Sequence, residues 1–235
     1  MHIELDAWEQ NSQLRPKASR HKGGGQFQVA ESLAMDPSLY EPVAESTINI
    51  RSAVSEYCNI ASTLAKLESP DRPDHRLARA IVSSLNDGFY VSPLAVTVKS
   101  HKAPGKVGVR CIHRGLSPCW SGLSRWVVFI LTPLINGIQW LAPDSHTVAE
   151  RLRNCEVLSS DKLATLDLKD FFLSGDPHDV AAGVGALVDS ICRSVFMRAV
   201  YFLLDNQYVI TSTLPHLYKC VKGSGIGHRH IRGHM

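Results

Sequence analysis

Residues 164–175 read ATLDLKDFFLSG. An apolar lead of strand-forming composition delivers Asp167 at its end, and the chain then turns through Lys169 and Asp170 into Phe171 and Phe172. A carboxylate so placed has two readings. Hard divalent cations take oxygen ligands and accept one or two carboxylates together with substrate phosphates; an Asp at a strand end equally serves as a turn or cap residue. Taken alone, the stretch leaves both open.

Working outward, residues 91–98 are rich in β-branched side chains and residues 107–112 form a second short strand candidate, with Ala103, Pro104, Gly105 and Lys106 between them. That pattern predicts a β-hairpin whose tip is basic, since Lys99, His101, Lys102, Lys106 and Arg110 lie on or beside it. On the other side, residues 217–227 read LYKCVKGSGIG, a strand followed by a glycine turn at Gly223, Gly225 and Gly227. Short strands are also expected at 162–168 and 208–211.

Helices fill the rest. Ile50, Val54, Tyr57, Cys58, Ala61, Leu64 and Ala65 recur at spacings of three and four from Thr47 onward, one face of a helix, which Pro70 and Pro73 close. Further helices are expected at 74–85 with Asp74 as N-cap, at 123–140, at 145–154 behind Asp144 or Ser145, and as one long segment at 178–204. Residues 126–142, WVVFILTPLINGIQWLA, approach bilayer-crossing length. Pro133, Asn136, Gly137 and Gln139 interrupt them, so a core helix with a proline break is expected and no membrane partner. The fold class is α+β, helix-rich with a small antiparallel sheet.

Composition sets the outer limits. The 235 residues are 44% hydrophobic and 20% charged, enough for one globular core or two small ones, and the net charge of +3 implies no strong overall field. Cysteines stand at 58, 111, 119, 155, 192 and 220 without a CxxC pair, which argues against a zinc module or disulfide framework. The first residues lack the apolar core of a signal peptide, so an intracellular location, nucleus or cytoplasm, is expected. Residues 1–45 read as a mobile arm, 46–88 as a helical N-terminal extension, 89–227 as the domain that carries chemistry, and 228–235 as a disordered tail with His228, His230 and His234.

The order basic hairpin, helix, carboxylate strand, helices, glycine turn resembles the fingers and front palm of a reverse transcriptase, most closely of the Penelope-like and related retroelement type. The family's basic text ahead of the palm is matched by Lys99, His101, Lys102, Gly105, Arg110 and Ile112; its first catalytic motif by Leu166, Asp167, Leu168 and Phe172; its second by Gly223, Ile226 and Gly227. The resemblance covers about residues 85–227.

The resemblance implies a partial right-hand polymerase and RNA-templated DNA synthesis on a template–primer, with deoxynucleotides as substrates. Asp167 would be the catalytic residue and ligand of Mg²⁺ or Mn²⁺ in a two-metal transfer. Arg110 with Lys99 or Lys102 would clamp the triphosphate, Phe172 would gate against a ribose 2′-hydroxyl, and Gly223, Gly225 and Gly227 would let backbone approach template and primer. The family's third motif, Asp-Asp on a hairpin, has no counterpart, because no Asp or Glu follows Asp205. The expectation is therefore a truncated domain, inactive as this chain, with an uncovered palm surface open to self-association. Two alternatives stay open: a non-catalytic nucleic-acid-binding remnant, and an unrelated α+β interaction domain.

Overall fold

The computed structural model describes residues 36–68, 75–89, 91–99, 108–113, 117–142, 144–156, 160–162, 164–166, 174–211 and 217–224. Six helices and five strands run along them: β1 (Tyr40–Val43), α1 (Ile50–Glu68), α2 (His75–Val82), β2 (Ser92–Lys99), β3 (Gly108–His113), α3 (Ser121–Asn136), α4 (Ser145–Arg153), α5 (Pro177–Gly185), α6 (Ser190–Asp205), β4 (Tyr208–Ile210) and β5 (Leu217–Cys220).

The helix α1 starts where Asn49 Oδ1 accepts the Ser52 N–H at 2.9 Å, an N-cap bond. Of its predicted stripe, Val54, Tyr57, Ala61, Leu64 and Ala65 are buried and Ile50 and Cys58 half-buried; Ile60, outside the expected set, is buried with them. The helix α2 supplies Ala78, Ile81 and Val82 to the same core, then tightens into a 3-10 turn, Ser83–Asp87, that Gly88 ends at φ 73°, a conformation open to glycine at little cost. The central element is α6, which buries Val195, Phe196, Ala199, Val200, Phe202, Leu203 and Leu204. Trp120 joins the layers, with ring centroids 5.2 Å from Tyr57, 5.0 Å from Phe202 and 5.9 Å from Phe89.

One continuous core runs from Val54 to Leu217. The helices at 46–88, expected as an extension, are thus packed into the same core as the rest. Residues Tyr40–Val43, expected within the mobile arm, form the strand β1, and Tyr40 is 1% exposed. A four-residue strand containing Glu and Pro carries too little alternation to be seen in sequence; its pairing with β5 makes it.

The sheet order is β1-β5-β4-β2-β3. Three pairings are antiparallel, but β2 and β4 pair parallel, Ser92 opposite Val209 and Pro93 opposite Ile210. The expected antiparallel sheet is therefore mixed. A parallel pair needs a long crossover, and the helical run between β3 and β4 provides it.

Other expectations shift for identifiable reasons. The single helix at 178–204 is two, because Asp189 caps a new start by accepting the Ile191 N–H at 2.9 Å. Asp176 likewise caps α5 and Asp144 caps α4. The strand expected at 162–168 is absent from its described part: 160–162 and 164–166 are irregular and Leu166 is 93% exposed. No neighbouring strand offers them a ladder among the described residues, and short strands do not stand alone.

The helix α3 is the core helix expected in its first half only. Gly122, Leu123, Ser124, Trp126 and Val127 are buried, whereas Phe129 is 73% exposed; the helix ends at Asn136, short of the expected 140, and Trp140 beyond it is 82% exposed. The stretch Pro118–Asn136 is long and apolar enough to cross a bilayer by length and composition alone. Pro133 lies in its last turn and removes one helical N–H.

The start of α3 has no side-chain cap of its own. Its free N–H groups are met from other elements: Gly122 N–H by Ser84 Oγ at 3.2 Å and Leu123 N–H by the Tyr57 hydroxyl at 3.0 Å. The Tyr57 hydroxyl in turn donates to the Ile81 carbonyl at 3.0 Å and lies 2.9 Å from Ser84 Oγ. Tyr57→Phe keeps the ring and strands these buried partners, so it is expected to cost about 1–3 kcal/mol, read as a lowered urea midpoint with unchanged slope. An unshifted midpoint would show that the hydroxyl does not hold these elements together.

Candidate nucleic-acid interface

The residues singled out by sequence fall at two places in the described structure. The β2–β3 ladder sets Lys99 opposite Gly108 and Arg110 opposite Thr97. Because cross-strand partners and positions two apart share a face, the backbone register puts Lys99 and Arg110 on one face of this edge hairpin. Lys102, at its tip, lies outside the described residues, as do Asp167, Phe172, Gly225 and Gly227.

Gly223 is described, and its surroundings are specific. It sits at φ 58° just after β5, in the left-handed region that favours glycine. Its N–H donates to the Gly175 carbonyl at 2.9 Å. Gly175, itself at φ 87°, closes the stretch that contains Asp167. Gln207 fixes the turn from below: its buried amide donates to the Leu204 carbonyl at 2.9 Å and to the Gly223 carbonyl at 3.0 Å. The sequence reading missed Gln207, a polar residue between α6 and β4 with no local signature.

A further feature, which the sequence did not single out, is the sheet face turned away from the helices. Registers align Tyr40, Cys220, Tyr218, Val209, Leu94, Val96, Cys111 and His113 on that face, and Tyr40, Leu94, Val209 and Cys220 form the buried centre of a small separate cluster. The strands β1 and β3 are the opposite edges of the sheet. Flat, four strand spacings would hold them about 19 Å apart. Yet the Tyr40 hydroxyl is 2.8 Å from His113 Nε2, and the rings are 5.7 Å apart. The sheet is therefore strongly curled, and this bond clasps its two edges.

Burial lowers the His113 pKa to about 4, so the ring is neutral at pH 7, and its tautomer sets which of the two groups donates. Burial pushes the Tyr40 hydroxyl far above its ordinary range, which keeps it protonated. Cys220 is 1% exposed inside this curl. Its thiol is pushed up to about 11 by burial and lies 3.2 Å from the Lys222 carbonyl. It is neither a reactive thiolate nor a surface contact.

The chemistry open to a metal is limited. Asp205, the last carboxylate of the chain, pairs with Lys219. Burial pulls that lysine's pKa down and the hydrogen bond and charge of Asp205 more than restore it. Among the described residues no group of three or more His, Cys, Asp or Glu side chains converges, so they supply no ligand shell for Mg²⁺ or Mn²⁺. All six cysteines are free thiols.

Comparison of the chain with protein-family models, with curated proteins and with solved structures finds no match.

The clasp has a pH signature. Folded His113 takes up its proton near pH 4 and an exposed histidine near 6.5, so between these values the unfolded chain binds the extra proton. Stability is expected to be full above about pH 6.5, to fall by roughly 3 kcal/mol as pH drops towards 4, and to level below it. Urea unfolding of the wild type and of His113→Gln across this range checks it: the variant, weaker at pH 7, should lose less on acidification. Parallel losses in the two chains would refute the assignment.

Proposed function

We propose that this chain is a reverse-transcriptase-like fingers and palm segment of Penelope-like or related retroelement type, which engages a template–primer and deoxynucleotide but does not by itself extend the primer. The observation that carries the reading is the bond from Gly223 N–H to the Gly175 carbonyl. It brings the glycine turn, which the resemblance assigns to template and primer, against the end of the stretch whose Asp167 it assigns to catalysis, two points 48 residues apart in sequence.

In this reading the β2–β3 edge hairpin offers Lys99, Lys102 and Arg110 to phosphate. Guanidinium forks match phosphate oxygens in pairs, and ammonium groups add charge. Phe172 gates the sugar, and Gly223, Gly225 and Gly227 make room for backbone to approach template and primer. Asp167 is the single carboxylate the resemblance offers to Mg²⁺ or Mn²⁺. With Asp205 held by Lys219 and no acid after it, a second carboxylate pair must come from elsewhere. Binding without turnover is the activity proposed for this chain, in the nucleus or cytoplasm. Self-association would cover the exposed Phe129, Trp140 and Leu141.

A salt titration of binding to a fluorescent RNA–DNA template–primer tests the proposal. Each phosphate contact contributes about 0.7–0.9 to the log–log slope, so Lys102→Ala with Arg110→Ala should flatten it by roughly 1.4–1.8 and weaken binding at low salt. An unchanged slope and affinity would remove the hairpin from the interface. Primer extension with Mg²⁺ or Mn²⁺ should give no product. Robust incorporation that Asp167→Ala abolishes would overturn the limit to binding.

A further inference from the structure

The helix α4 has no buried residue. Isolated helices shorter than about 12–15 residues are marginal in water, so α4, at nine residues, gains from any surface that covers it. Its side chains divide into two faces. His146, Glu150 and Arg153 recur at i, i+4 and i+7 on one, where His146 and Glu150 meet at 3.3 Å. Asp144, Val148, Arg151 and Leu152 recur at i, i+4, i+7 and i+8 on the opposite one.

The turn before the helix enlarges this second face. Leu141 N–H donates to the Ile138 carbonyl at 3.1 Å, and Arg151 Nη2 donates to the Leu141 carbonyl at 3.1 Å, which holds Leu141 against α4. Leu141, Val148 and Leu152 are all exposed, as is Trp140 next to Leu141 in the chain. The charges on this face stand at its two ends. Asp144, the cap, opens it and Arg151 lies near its close, about 10 Å along the helix at 1.5 Å per residue. Neither has an ion-pair partner among the described residues.

An acid at one end, a base at the other and apolar side chains between them make a face complementary to itself. Turned antiparallel, a second copy sets its Asp144 against Arg151 and its Arg151 against Asp144, and the two-fold axis passes beside Val148. Such an isologous contact closes with two subunits. Other occupants fit less well. One acid and one base cancel, so the face has no excess charge for the phosphates of a nucleic acid. Helices that lie on membranes are rich in Lys and Arg on the polar face, whereas here Glu150 offsets Arg153. We infer that α4 docks antiparallel on α4 of a second copy of this chain and forms a symmetric dimer. The inference rests on the self-association proposed above, to which it gives a face, and not on template–primer binding.

Sedimentation velocity of the full chain over a concentration series tests it. Wild type should pass from monomer to dimer as concentration rises. Val148→Asp sets two like charges together at the axis and should raise the dimer Kd on the order of a hundredfold. Asp144→Asn keeps a capping oxygen and Arg151→Gln a long polar side chain. Each should raise Kd about three- to tenfold and the double variant little further, because both remove the same two ion pairs. In a Cys155→Ser background, Val148→Cys should crosslink to itself under mild oxidation, and Glu150→Cys, on the other face, should not. All these positions are exposed, and circular dichroism melts verify folding. A chain that stays monomeric at every concentration would overturn the inference together with the self-association it rests on. A dimer unmoved by Val148→Asp would overturn only the placement on α4. Monomers that float with phosphatidylserine vesicles would give the face to lipid and overturn it as well.

Discussion

The N-terminus of α3 is the constraint around which the molecule is arranged. It is buried, it has no cap of its own, and buried N–H groups left without partners are costly. Tyr57 from α1 and Ser84 from the turn after α2 supply the missing oxygens. Ser84 Oγ also lies 2.7 Å from the Cys119 carbonyl, closing the chain just before α3 onto the same point. Gly122 makes the approach feasible. A Cβ there would run into the Ile81 backbone, so only glycine lets α2 and α3 cross at this distance. Three helices and the Trp120 aromatic cluster are thereby tied to one polar knot inside an apolar core.

From that knot follows the division of the sheet into two faces. On one, Val43, Tyr208, Ile210 and Leu217 pack against the helical core. On the other, the curl encloses its own cluster. Curling answers the problem of a small sheet with two apolar faces and helices to cover one of them, since an uncovered face would leave the aromatic and aliphatic side chains of β1, β2 and β5 in water. The polar groups drawn inside, the Tyr40 phenol and the His113 imidazole, satisfy one another, as low-dielectric burial requires.

How much of this was legible in the sequence depended on whether the signal was local. The stripe of α1 was readable because the helix buries a face whose period is written in its own residues, and β2 because its β-branched composition is local too. At the start of α4 the cap was narrowed to Asp144 or Ser145, and Asp144 is the one that caps. The same signal at Asp189 was passed over because apolar residues continue across it, and one long helix was expected where two stand. The strand β1 and the parallel pairing of β2 with β4 had no local trace, being set by partners over a hundred residues away. Of the candidate site, the sequence supplied residue types and their order. Gln207, His113 and Tyr40 were invisible, because their roles lie in side-chain bonds to distant elements.

The placement of the basic hairpin relative to the glycine turn depends on two weak lines of contact. Two locally closed units, β2–β3 and β4–β5, meet along a parallel seam only two residue pairs long, and one of the four residues, Pro93, has no N–H to donate. Such a seam fixes direction more than distance. The opposing restraint is the Tyr40–His113 clasp, which holds the outer edges together through β1 and β3. Lys99 and Arg110 belong to the unit on one side of the seam and Gly223 to the unit on the other. Their separation is therefore governed by a buried phenol–imidazole bond far from either in sequence, and an interface built from both units inherits the stability of that bond.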